Sequence, residues 1–215
     1  AIDYQRKSER HEGTPISVII LQVDGDDADL LEQCVREIAA IVGEQEDVAL
    51  IVAENEAEAE AFWEDRHRLS AIAKRTSGFK INEDVVIPVS RIPDFALFLE
   101  QLNLECAAGG YRQALQDIGR LPGMALEDTD LNKEFVFASR AACGDLPATD
   151  CSDQELEDRA SAFLERMALR YDRLAPKIRA IAEDMRAARV LVASHMHAGD
   201  GNCHVDIPVN SKDLR

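Results

Sequence analysis

Ten residues, His195-Met-His-Ala-Gly-Asp-Gly-Asn-Cys-His204, hold three histidines, two glycines and one aspartate. His197 and His204 stand seven positions apart and flank Gly-Asp-Gly-Asn. Two histidines at the facing ends of neighbouring strands, joined by a tight turn, can aim their imidazoles at one point, and imidazole is the commonest neutral ligand of zinc and similar divalent ions. Gly199 and Gly201 reach backbone angles that other residues resist, and Asp200 and Asn202 are good turn formers. The spacing matches neither the helical metal motifs nor the zinc fingers, so an ordinary hairpin turn with incidental histidines explains the same residues equally well. His195 precedes His197 by two, which on a strand puts both on one face, and it reads as a surface histidine. His11 and His67 have no supporting context and read as solvent-exposed.

Such a loop needs a strand on either side. VLVAS (190–194) and HVDIPV (204–209) supply two short ones, and ISVIILQV (16–23), VALIVA (48–53) and KINEDVVIPVS (80–90) read as three more upstream. Helical patterns separate them. Leu30, Leu31, Cys34, Val35, Ile38 and Ile41 recur at helical spacing. Residues 54–75 are rich in Glu and Ala, with negative charge in the first turns where the helix dipole favours it. Ser90-Arg-Ile-Pro-Asp opens a further helix running to about Leu102. Residues 105–150 concentrate Gly and Pro in AAGGY, LPGMALED and CGDLP, and read as an irregular insertion in which only FVFA (135–138) resembles a strand. From Ser152, an expected N-cap, apolar residues from Leu156 to Met185 step by threes and fours, and Pro176 should kink or split that helix.

No glycine-rich phosphate loop follows the first strand, and GDGN lies between two strands, so a dinucleotide-binding fold is disfavoured. The pattern predicts an α+β domain: a ferredoxin-like sandwich with a largely antiparallel sheet covered by helices, closed by the hairpin that carries the histidines.

At 215 residues and 46% hydrophobic content, the chain suits one domain with an insertion better than two full domains. Its net charge of −17 opposes nucleic-acid binding, because phosphates would be repelled on average, while a small anion remains admissible where a few basic side chains converge. No apolar run approaches the roughly 20 residues of a transmembrane helix, and the first fifteen residues are too polar for a signal peptide, so a soluble cytoplasmic protein is expected. Five scattered cysteines without a C-x-x-C pair indicate reduced thiols rather than disulfides or a zinc ribbon.

HAGDGNCH followed by a short strand resembles the H-x-G-D-G-N-x-H signature of the C-terminal domain of FAD-linked oxidases, the family of D-lactate dehydrogenases, glycolate oxidase flavoprotein subunits and D-2-hydroxyglutarate dehydrogenases. FWEDR (62–66) and DVVIPVSRIPDF (84–95) are similar to that family's tryptophan-to-arginine helix and its strand-to-helix junction, in the right order and about a hundred residues before the histidine motif. The resemblance spans roughly 15–103 and 152–210.

It implies the substrate- and metal-binding cap of a larger FAD-dependent D-2-hydroxy-acid dehydrogenase, in which hydride passes from a small anionic 2-hydroxy acid to the flavin. His197 and His204 would be ligands of zinc or manganese. Gly199, Asp200, Gly201 and Asn202 would lie at the cofactor, and Arg66, Ser70 and Lys80 would hold substrate carboxylates. Arg66 and Ser70, four apart, share a helix face, and Lys80 begins the next strand, although such charges are ordinarily solvated surface groups. Two departures stand out: Asp206 replaces a usual asparagine, and Cys203 a usual aliphatic residue. The family's glutamate ligand and proton-accepting histidine lie in a downstream Glu-His-Gly motif. The FAD-binding domain is therefore expected as a partner within the same parent chain, with an iron-sulfur cluster elsewhere in it, and the isolated chain is expected to be inactive. The rival reading is a stand-alone ferredoxin-like module that binds a small molecule or metal without catalysis.

Overall fold

The computed structural model describes residues 18–45, 48–64, 79–125 and 128–209. They belong to two compact units, Ala1–Ser77 and Gly78–Arg215. In the first, helix α1 (Ala28–Gly43) is opened by Asp27, whose side chain accepts from the N–H groups of Asp29 and Leu30. A second helical stretch, 56–64, follows Asn55, which caps it by accepting from the Glu58 N–H at 3.0 Å. The strands expected at 16–23 and 48–53 do not form over their described residues: Ile19 is 75% exposed and Leu50 43%, and neither segment has a ladder partner. β-Branched composition suits a pleated surface, but without a neighbour to complete its hydrogen bonds it makes no strand.

The second unit is α+β. Strand β1 (Phe79–Val86) leads through a short 3-10 turn into helix α2 (Ile92–Gly119), followed by α3 (Thr129–Ala142), α4 (Asp153–Arg170) and α5 (Ala175–Ala187). Strands β2 (Ala193–His197) and β3 (Asn202–Val209) then form a hairpin, and β3 lies between β1 and β2 in an all-antiparallel sheet.

Much of the segment expected to be irregular is helical. Helix α2 continues to Gly119, straight through Ala107-Ala-Gly-Gly110. Leu104, Ala108, Tyr111, Leu115 and Ile118 fall on one face and are all almost completely buried. Two interior glycines cost about 2 kcal/mol together; burying each of the four larger side chains contributes about 2 kcal/mol, so the helix persists. It ends where Pro122 cannot continue it and Gly123 turns the chain at φ 97°. FVFA is likewise one turn of α3, not a strand; Ala138 is buried, Phe135 and Phe137 pack on the core, and Val136 faces out. Asp128 fixes the start of that helix by accepting from the N–H groups of Asp130 and Leu131.

Ser152 caps α4 in a reciprocal box with Glu155, as its position predicts. Pro176 splits the long apolar pattern, sitting in the first turn of α5 where its missing N–H is harmless. The main apolar core is drawn from these helices and their connections. Asn103 of α2 ties it to the sheet, donating to the Val192 carbonyl at 3.0 Å and accepting from the Val192 N–H at 2.8 Å just before β2.

Candidate functional site

Strand register builds the site. Asp84 of β1, His204 of β3 and His195 of β2 lie opposite one another in one row, because Asp84 pairs with His204 and His204 with His195. Asp206 and Ala193 form the next row on one side of it, and Val86, Asn202 and His197 the next row on the other, since alternate residues share a face. Three histidines and two aspartates from three strands therefore gather on one side of a small sheet. The other alternating set holds Val85, Cys203 and Met196. Burial pushes the Cys203 thiol above its ordinary range, a hydrogen bond with Ser194 opposing it, so this cysteine stays a protonated packing residue rather than a thiolate ligand.

His204 Nδ1 lies 2.5 Å from Asp84 Oδ1. An ionised carboxylate only accepts, so Nδ1 carries the proton there, and in the neutral ring Nε2 keeps the lone pair. The His204 ring meets His197 edge to face with centroids 6.3 Å apart, and stacks on His195 at 4.7 Å with 26° between the planes. His195 Nδ1 stands 3.6 Å from Asp206 Oδ2, ion-pair distance but beyond a hydrogen bond. Asp84 is 67% exposed, and a solvated pair of this kind stabilises by about 1 kcal/mol at most. The Asp84 contact therefore orients a ring more than it stabilises a fold.

The turn between β2 and β3 is held by its own backbone. The Asp200 and Gly201 N–H groups both donate to the His197 carbonyl, and Asp200 Oδ1 accepts from the Asn202 N–H at 2.9 Å. Gly201 has φ 76°, and a Cβ there would collide with the Ile87 carbonyl. The Ile87 N–H in turn donates to the Gly201 carbonyl at 2.8 Å, pinning the hairpin tip to the end of β1. Gly199 is the opposite case, with nothing within 4 Å of where its Cβ would sit.

The structure thus brings His197 and His204 together at the hairpin, with Gly199, Asp200, Gly201 and Asn202 in and beside the turn. Lys80 occupies the strand position opposite Pro208, in the same alternating set as Asp84. Arg66 and Ser70 lie outside the described residues. Among the described residues no group of three or more His, Cys, Asp or Glu is placed to hold a metal ion. Sequence reasoning missed Asp84 and read His195 as a surface group. The even spacing in β1 hinted at the first, but partners 120 residues apart are found only by register.

A family model described as "FAD linked oxidases, C-terminal domain" matches residues 3–110 and 124–215. The unmatched 111–123 fall in the second half of α2 and the turn after it, inside the stretch set apart as an insertion. No curated protein and no solved structure matches the chain.

Proposed function

Because the chain belongs to the family of FAD-linked oxidase C-terminal domains, we propose that it is the substrate-side cap of an FAD-dependent D-2-hydroxy-acid dehydrogenase. The observation that carries this reading is the Asp84–His204 contact beside His197, inside the H-x-G-D-G-N-x-H hairpin. A histidine that donates one ring nitrogen to a carboxylate presents the other as a fixed, more basic lone pair, the arrangement typical of metal-bound imidazole. Two imidazoles, His197 and His204, suit a borderline divalent ion such as zinc, and would suit the harder manganese where oxygen ligands from outside the described residues complete the set. Such an ion would polarise the oxygen of a bound 2-hydroxy acid.

FAD, when bound, supplies the acceptor for the substrate's hydride. Open space at Gly199 suits close approach of a flat ligand to the hairpin tip, while Asp200, Gly201 and Asn202 keep the tip in shape. Lys80, with Arg66 and Ser70, would neutralise and orient the substrate carboxylates, a local basic group within a chain of net charge −17.

Zinc and manganese titrations by calorimetry, on this chain and on His197→Ala and His204→Ala, test the reading. Binding that both substitutions abolish is expected; substituted chains that bind as tightly as the wild type would overturn it.

A further inference from the structure

We propose that His195 is a positioning residue for His204: its ring is the flat surface against which the His204 imidazole is held. This rests on the reading of His204 as a ligand, but the geometry stands apart from it. The Asp84 contact holds His204 at one nitrogen only, and through a carboxylate that is largely solvated and can itself swing. A second contact, against the ring face, steadies the ring where that single contact does not, and the His195 ring provides one at 4.7 Å and 26°. The two residues are directly opposed on paired strands, where side chains come closest. Asp206, in the next row, lies 3.6 Å from His195 Nδ1 and is itself nearly buried, so the stacking ring is in turn held on its far edge.

The same geometry excludes His195 as a third ligand beside His204. Nearly parallel rings send their nitrogen lone pairs side by side, whereas ligands of one ion must converge. His197 meets His204 at 77° between the ring planes, so that objection does not apply to it.

The test uses this chain, His195→Ala and His195→Phe, with nitrogen-15 NMR of the His204 ring at about pH 8.5, above the ordinary imidazole range. The wild type should show one tautomer, protonated at Nδ1. His195→Ala should shift those signals towards a mixture of tautomers, and His195→Phe, which restores a flat ring without a nitrogen, should return them to the wild-type pattern. An unchanged His204 signature in His195→Ala overturns the proposal. Zinc titration separates it from the underlying reading: a loss of about tenfold in affinity in His195→Ala, recovered in His195→Phe, is expected. If His197→Ala and His204→Ala leave zinc binding intact while the ring signals respond to His195→Ala, the metal reading fails and the positioning role stands. If those two abolish binding while His195→Ala matches the wild type in both measurements, the positioning role fails and the metal reading stands.

Discussion

Gly201 and Ile87 are locked backbone to backbone: the Ile87 N–H donates to the Gly201 carbonyl, and the Ile87 carbonyl fills the space that a side chain on Gly201 would need. Gly201→Ala should therefore cost about 1–3 kcal/mol from backbone strain, with the clash added to it. Gly199→Ala, which meets nothing, should stay within about 0.5 kcal/mol of the wild type. Urea denaturation, with hydrogen exchange at the β2 and β3 amides, checks the contrast; equal effects at the two glycines would contradict it.

Asp84→Asn separates function from stability. The side chain is solvated, so stability should change by less than about 1 kcal/mol. Zinc affinity should fall about tenfold or more, because the amide orients His204 less firmly. The two titrations on one preparation decide the matter.

Acid should weaken the helical part of the fold through Asp128. Burial raises this carboxyl, but the hydroxyl of Tyr171 at 2.6 Å, the Leu131 and Asp130 N–H groups and Arg170 outweigh it and hold it below the ordinary range. A carboxyl lowered on folding contributes stability above its unfolded value, near 4, and loses it as pH falls through the folded one. Urea unfolding at stepped pH should show the wild type losing stability below about pH 4. Asp128→Asn, weaker at neutral pH, should converge on the wild type as acid is added.

Tyr111 should be silent in alkaline titration of the folded chain. Its hydroxyl donates to Glu134 at 3.0 Å, and burial together with that negative partner pushes its ionisation far above the ordinary phenol range. Tyrosinate absorbance from this residue should appear only with unfolding. Tyr111→Phe should cost about 1 kcal/mol, since Arg159 still meets Glu134 through two hydrogen bonds.

Local signals were the legible ones. Ser152 as a cap, Pro176 as a break and the hairpin around GDGN each depend on residues within a few positions of one another. The second half of α2 was hidden because two glycines speak against a helix locally, while the face from Leu104 to Ile118 that sustains it is rewarded only by other helices. FVFA misled for the same reason: aromatic and β-branched residues favour strands until a neighbouring helix offers burial. In the site, His197 and His204 were visible as a spaced pair. Asp84 and the part played by His195 emerge only from the register of three strands, two of them separated by more than a hundred residues.

That separation also dictates an order of assembly. Strand β1 finds its partner β3 only after α2 to α5 have been made and packed, so the four helices form a folded excursion whose compactness brings the two strand ends within reach. The bundle, rich in neighbouring contacts, is expected to form before β1 is paired. Damage to the bundle should then delay closure of the sheet, and the histidines of the hairpin would meet Asp84 late without any change in their final geometry.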